Sequence, residues 1–457
     1  MNTDAKRENM RALANSLGIS EEEAGIKLGF EVKLFYSENI TGSKQFSQEL
    51  YNLLSRTVET VTCHKSETVC FSEIKILGNT DKTLYVYTNN NAFIINTKEI
   101  ESHKTEKFSH PLFLLLCACY TSASIMKLAV DNIPFAVKFP MLFNLNEIIN
   151  PDLLYKPINL KKTYMAGAGA IGNTLLWAFR HLDVRGELHI CDDDKVGSGN
   201  LNRQLFFAEE DIGKYKAEQL VKKAQPFMTN LKLISRPFLL QNLNEAGNGF
   251  WLERLISAVD SRRARRTLQG EFPREIFDSS TTDVSEIVIH YHKQPTNTAC
   301  MTCIYSEDDR ERSHEMNIAE SLGVEISEVK KERINYEMAE IISKRFSDAN
   351  IDSSAIEGEA YDSLYKALCG QGKLKNVENG QILAPFCFVS ALAGVMLAIE
   401  IVKRLADNKN MHNYNFWKIS AWHPPYPKIK KTLQRKDNCP SCGSKTIQTL
   451  IKEKWGN

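Results

Sequence analysis

The stretch TYMAGAGAIGNTLLWAFRHL (residues 163–182), continued by GELHICDDDKVGSGNLNRQLFF (186–207), decides the fold. An apolar run ends in three glycines, Gly167, Gly169 and Gly172, and passes directly into a helical pattern. A second β-like run then ends in Asp192, twenty residues after Gly172. A strand, a Gly-x-Gly-x-x-Gly turn and a helix form an arrangement that lets backbone approach phosphates and aims helix N–H groups at them. Asp192, at the end of the next strand, is placed to accept hydrogen bonds from ribose hydroxyls.

Working outward, strand and helix patterns keep alternating. LISAVD (255–260) reads as a buried strand, SRRARRTL (261–268) as the start of a helix and EIVIHYH (286–292) as a further strand. LAPFCFVSALAGVMLAIEIVKRL (383–405) reads as a long buried helix. This alternation predicts an α/β domain: a Rossmann-like, mainly parallel sheet with helices on both faces. Residues 1–150 have a different pattern, with a helical start, short β-like runs and an apolar helix, and predict a smaller α+β domain. There Gly18 is placed to stop one helix, while Ser20 and Glu23 form a capping box for the next. The segment Asn146–Asn159, with Pro151 and Pro157, reads as a linker. Residues 151–305 and 376–445 make up the α/β domain, 306–375 a charged helical insertion and 446–457 a tail.

Composition narrows the function classes. Lys plus Arg number 57 against 56 for Asp plus Glu, so no global field points to nucleic acid or an anionic membrane. HPLFLLLCACYTSASIMKLAV (110–130) is borderline in length for a bilayer, but its Ser, Thr and Lys residues favour a buried helix. The N-terminus lacks the apolar core of a signal peptide, and the eleven cysteines are scattered apart from two CxxC pairs. Both features fit a cytoplasmic protein. Two helix–turn–helix-like segments, near residue 12 and residue 320, lack flanking basic patches and read as capped helical hairpins.

The glycine turn alone suits any dinucleotide enzyme. The loop beyond Asp192 adds Asp194, Asn200, Arg203 and Gln204 in one short span, and DIGKYKAEQ (211–219) adds Lys216. A triphosphate needs several converging cationic and polar donors of this kind. Asp260 ends a strand, where a carboxylate can hold Mg²⁺ against phosphates, and Arg265 stands five residues later. For any one of these residues taken singly, a solvated loop or an ordinary strand-end carboxylate explains as much. Cys300 and Cys303 (TACMTC) with Cys439 and Cys442 (NCPSCG) supply four thiolates, the ligand set of a structural zinc site. His290 and His292 share one strand face and read as surface or satisfied core histidines rather than ligands.

The region from about Leu160 to Lys445 resembles the ThiF/MoeB/ubiquitin-activating superfamily, whose members adenylate the C-terminal glycine of ubiquitin-like proteins. The resemblance rests on the glycine turn, the Asp192–Gln204 run, the Asp211–Ala217 run, and Asp260 with Arg265. It implies that Asp192 binds ribose, that Asn200, Arg203, Gln204 and Lys216 contact the phosphates of ATP, and that Asp260 binds magnesium. It also implies a zinc site on the four paired cysteines. In sulfur-transferring and ubiquitin-activating relatives a reactive cysteine lies in a mobile crossover region. Cys369 (YKALCGQGKL), sixteen residues before Pro385, stands in the corresponding place. A thiolate there can take the acyl group as a thioester for a conjugating enzyme. A helix-end cysteine before a capping glycine is the alternative reading of Cys369; Cys387 competes for the role but sits in an apolar run with a core pattern.

No arginine-rich helix precedes the glycine turn, although the superfamily often supplies such an arginine to a second subunit. Homodimer and intrachain pseudo-dimer both stay open, the latter with residues 1–150 as a reduced, inactive half. The layout looks like that of bacterial ubiquitin-activating-like proteins of antiphage conjugation systems. Two rival functions remain: an adenylyltransferase for sulfur-carrier activation without an enzyme thioester, and a nucleotide-binding scaffold without catalysis.

Overall fold

The computed structural model describes residues 2–456 apart from 68–69, 79–80, 90, 101–109, 249, 283, 332, 348–350, 371–373, 375–384, 408–412 and 426–428. Two compact units emerge: Met1–Tyr305 with Leu383–Asn457, and Ser306–Ile382.

The first unit opens with α1 (Thr3–Leu17), whose first turn is capped by the Asn2 side chain accepting from the Ala5 N–H. Ala5, Asn9, Ala12 and Leu13 recur at helical spacing and form its buried stripe. Gly18 ends it, and α2 (Glu21–Lys27) starts with both halves of the Ser20/Glu23 capping box. Strand β1 (Glu31–Tyr36) connects through α3 (Ser43–Leu54) to β2 (Thr60–Lys65), which pairs with it in parallel. Strands β3 (Ser72–Leu77), β4 (Lys82–Asn89), β5 (Ala92–Asn96) and β6 (Met141–Asn144) complete an otherwise antiparallel sheet in the order β2-β1-β3-β4-β5-β6. Helix α4 (Pro111–Ala129) is long and apolar enough to cross a membrane, but it is buried along most of its length within the protein.

The segment expected as a linker folds otherwise. It forms two short 3-10 turns, Leu145–Glu147 and Pro151–Tyr155, and a strand already starts at Ile158. Its prolines stop a regular helix, but Leu145, Ile148, Ile149, Leu153 and Leu154 between and beside them supply enough apolar surface to be buried.

The second sheet runs through the α/β region. Its strands are β7 (Ile158–Ala166), β8 (Val184–Cys191), β9 (Leu231–Arg236), β10 (Arg254–Ser257), β11 (Glu275–Thr281), β12 (Glu286–Lys293), β13 (Phe416–Ser420) and β14 (Lys430–Lys431). Their order is β14-β13-β12-β11-β10-β7-β8-β9. The five strands from β11 to β9 in that order are parallel, and the three at the other edge are antiparallel. Helices α5 (Ala170–Phe179), α6 (Lys216–Ala224), α7 (Arg262–Gly270) and α8 (Met301–Ile304) follow strands of this sheet. In the second unit, α9 (Asp309–Leu322), α10 (Ile326–Val329), α11 (Tyr336–Arg345), α12 (Ser353–Ile356) and α13 (Tyr361–Gly370) enclose a small core around Leu322, Ile334, Ile342 and Leu364. The chain returns to the first unit with α14 (Cys387–Ala406) and ends in α15 (Lys445–Trp455).

Helix α14 carries small residues where it crosses α5. A Cβ at Gly394 would lie 2.7 Å from Thr174 Cβ and 2.8 Å from the Leu175 nitrogen, both well inside van der Waals contact. Gly394→Val should therefore lower stability by about 2 kcal/mol or more, through forced displacement of the helix pair. Urea denaturation of the full chain measures it, and an unshifted midpoint would mean that the crossing has room to spare.

Candidate functional site

In the parallel part of the sheet the chain winds outward in both directions from the pair β7 and β10: β8 lies beyond one, β11 beyond the other. Between two such strands the connections diverge and leave a crevice at their carboxyl ends. Gly167 follows β7 with φ +100°, and a Cβ there would sit 2.6 Å from the carbonyl oxygen of Ala258, just beyond β10. A Cβ on Gly172 would sit 2.4 Å from the Gly167 oxygen, whereas one on Gly169 would meet nothing within 4 Å. So two glycines are required by close packing, and the third leaves the backbone at the start of α5 open. Asn173 braces this turn: its amide donates to the carbonyls of Ala168 (2.9 Å) and Gly169 (3.0 Å) and accepts from the Phe206 N–H (3.1 Å).

Asp192 closes β8 beside the turn. One carboxylate oxygen accepts from the Ala168 N–H at 2.6 Å and the other from the Asp194 N–H at 2.9 Å. Burial pushes its carboxyl up to about 6, against the attraction of Lys216. Lys216 opens α6, and its ammonium lies 2.8 Å from the Asp194 carboxylate. Burial works against its charge, yet Asp192 and Asp194 hold it above the ordinary lysine range. Asp192, Asp193 and Asp194 offer carboxylate oxygens within 4.8 Å of one another. Asp192 and Asp194 serve backbone N–H groups and Lys216, and Asp260 is exposed just beyond β10.

Arg203 lies on the loop after β8 and donates to the Asn202 side-chain oxygen at 2.7 Å. Burial lowers its affinity for the proton, while Glu8, Asp260 and Cys387 act the other way; an arginine stays charged throughout. Asp260 also acts on Lys216, so its charge reaches the crevice, and on Arg265 behind the turn. Asn200 accepts from the Gly197 N–H at 3.1 Å and shapes the loop. Gln204 is buried, with its carbonyl oxygen unpartnered among the described residues. Arg265 does not reach the crevice. Its guanidinium pairs with Asp278 at 2.9 Å and donates to the carbonyls of Val259, Ser261 and Ser279, so it fixes the turn that presents Asp260.

Besides Asn173, residues of the N-terminal domain that carry no motif hold the 198–207 loop. Arg56 donates to the carbonyls of Leu201, Leu205 (2.9 Å) and Phe207 (3.1 Å). Asn9 donates to the Arg56 carbonyl at 2.7 Å and accepts from Asn202 at 3.0 Å. Asn2 and Asp4 bond Ser198. The one signal in the sequence is Asn9, a polar residue on the apolar stripe of α1.

The paired cysteines converge from distant parts of the chain. The sulfurs of Cys300 and Cys303 are 3.8 Å apart, those of Cys300 and Cys439 3.7 Å, and those of Cys303 and Cys442 3.5 Å. A tetrahedron with metal–sulfur bonds of about 2.3 Å has edges of about 3.8 Å, so the donor set and spacing fit zinc. His290 and His292 are buried with rings 6.2 Å apart, and His290 meets the Ala299 carbonyl at 2.9 Å, as core histidines. Cys387, Cys117, Cys119 and Cys191 are buried. Cys369 belongs to the last turn of α13 in the second unit, and its side chain lies outside the described residues.

A family model described as the E1 N-terminal domain matches residues 1–148, and one described as the ThiF family matches residues 144–441. An uncharacterized protein of Sinorhizobium fredii, y4jF, is 29% identical over 319 residues, 66% of this chain and 60% of that protein. The ubiquitin-activating enzyme E1-like protein of Saccharomyces cerevisiae is 33% identical over 130 residues, 28% of this chain and 20% of that protein. The chain thus spans less than two thirds of the length of these curated relatives. The crystal structure of MccB from E. coli aligns at a TM-score of 0.38 and 12% identity, covering 79% of this chain and 95% of that one. With well over half of its residues matched, the chain belongs to the ThiF family.

Proposed function

We propose that the protein adenylates the C-terminal glycine carboxylate of a ubiquitin-like protein with ATP and then takes the acyl group onto Cys369. The observation that carries this reading is the convergence of Arg203, Lys216, Asp192, Asp194 and Asp260 on one glycine turn at the sheet's switch point. The family match to ThiF and E1 N-terminal domains supports the reaction class.

In this reading the triphosphate lies over the open start of α5, where helix N–H groups favour anions. Asp192 meets the ribose. Arg203 and Lys216 neutralise the phosphates, with Asn200 and Gln204 completing the polar lining. Magnesium held by Asp260 would supply further charge neutralisation. A carboxylate oxygen of the substrate attacks the α-phosphorus, and pyrophosphate leaves with the bonding pair. The Cys369 thiolate, having given its proton to solvent, then attacks the acyl carbon and AMP departs, leaving a thioester for transfer to a conjugating enzyme. Residues 1–150 serve as a reduced counterpart of a second adenylation half. The packing of α1 and Arg56 on the phosphate-side loop supports that role.

Four outcomes are expected. Pyrophosphate exchange into ATP should be lost in Asp260→Ala; full activity in that variant would remove Asp260 from metal binding. A partner adduct sensitive to reducing agent should vanish in Cys369→Ala while the acyl-adenylate still forms, and a persistent adduct would move the thiol elsewhere. Arg56→Ala should raise the KM for ATP about tenfold through loss of loop position, with partial rescue in Arg56→Lys. Elemental analysis should give one zinc per chain, absent from Cys439→Ser/Cys442→Ser, which should melt at lower temperature.

A further inference from the structure

Behind the turn that carries Asp260, a buried polar network reaches the point where the chain leaves the first unit. The guanidinium of Arg265 donates to the carbonyls on either side of Asp260, Val259 at 2.5 Å and Ser261 at 3.1 Å. One planar, rigid group thus fixes the backbone before and after that carboxylate. The same guanidinium donates to the Ser279 carbonyl at 2.8 Å and to one oxygen of Asp278 at 2.9 Å. The other oxygen of Asp278 accepts from the Tyr305 hydroxyl at 2.5 Å. Arg265, Asp278 and Tyr305 are all buried, so water does not stand in for a lost partner.

Tyr305 decides how Asp278 is shared. A carboxylate beside a guanidinium favours two parallel bonds to it. Here the Tyr305 hydroxyl occupies the second oxygen, which leaves the terminal nitrogens of Arg265 to the carbonyls. Without the hydroxyl, that oxygen would turn toward the same nitrogens and compete with Val259 and Ser261. Tyr305 is itself held in place. Its ring lies 4.9 Å from the Arg265 guanidinium, its carbonyl accepts from Arg266 at 2.9 Å, and its hydroxyl meets Ser280 at 3.1 Å. Burial and the charge of Asp278 push the hydroxyl above the ordinary tyrosine range, so it remains a donor at neutral pH. Tyr305 is also the last residue of the first unit, and the chain passes to the second unit at Ser306.

We propose that Tyr305 is a positioning residue for the magnesium–nucleotide site: through Asp278 and Arg265, its hydroxyl sets the turn that presents Asp260 to the metal. This rests on the reading that Asp260 holds the magnesium of ATP. The residue from which the chain departs for the second unit is thereby bonded to the turn that carries the metal ligand.

The test is calorimetric titration of the full chain with α,β-methylene-ATP, once in magnesium chloride and once in EDTA, at constant ionic strength. The quantity read is the magnesium gain, the ratio of the two dissociation constants. Tyr305→Phe keeps the ring, and its gain should be about fivefold smaller than that of the wild type, the worth of about one net hydrogen bond. Its affinity in EDTA should match the wild type. Arg265→Lys keeps the charge without the planar fork and should lose at least as much of the gain. Ser280→Ala removes only the other neighbour of the hydroxyl and should keep the gain whole. A merely structural role would reduce the number of binding sites, or weaken binding equally in both buffers. Either result with an unchanged gain in Tyr305→Phe overturns the proposal, as does an equal loss in Ser280→Ala. Asp260→Ala separates the two readings. A gain lost there but kept in Tyr305→Phe overturns the positioning role alone. A gain kept in Asp260→Ala, or absent from the wild type, overturns the assignment of Asp260 and this proposal with it.

Discussion

The backbone of Gly167 lies against Ala258, where β7 and β10 end side by side. No side chain fits between them, and the chain leaves the two strands in opposite directions. That contact creates the crevice, and it sets the positions of the other groups. Asp192 is bonded to the N–H of Ala168, so the end of β8 is fixed to the same turn. Asn173 ties the turn to Phe206, and with it to the loop that carries Arg203. Asp260 arrives from the β10 side, two residues beyond Ala258. A backbone contact of this kind is stiff because it tolerates neither an added atom nor a tilt of the strands.

The N-terminal domain meets this arrangement through hydrogen bonds as well as apolar packing. Arg56 gives three bonds to carbonyls of the loop that carries Arg203. Buried carbonyls left without donors would cost more than the bonds gain, so the loop and the arginine depend on each other. Below them, α4 and α14 share one continuous apolar core that joins both sheets. A domain with only this second contact would tolerate sliding of one helix past another; the polar grip of Asn9 and Arg56 sets the register.

The two ends of the second sheet handle charge differently. At the glycine turn cations and carboxylates alternate closely: Lys216 beside Asp194, and Arg203 under the influence of Glu8 and Asp260. At the opposite end Lys403 and Arg404 close on the buried Glu400 within the core.

Local pattern alone identified much of this protein. The glycine spacing, the period-2 strands and the Ser20/Glu23 cap are properties of short windows, because helix and strand repeats and capping geometry are set within a few residues. The cysteine pairs were equally visible, since two CxxC turns each present two thiols. What the sequence left undecided depends on contacts between distant segments. Arg56 has no neighbour in the chain that marks it, and its three acceptors lie about 150 residues away. Arg265 matched a motif, but packing turned it inward onto Asp278. The proline-bearing segment after β6 read as a linker, yet its leucines found a surface to cover. Spacing can say which residues share a face; only the packed chain decides what that face meets, because burial energy and the pairing of polar groups are fixed jointly with the partner surface.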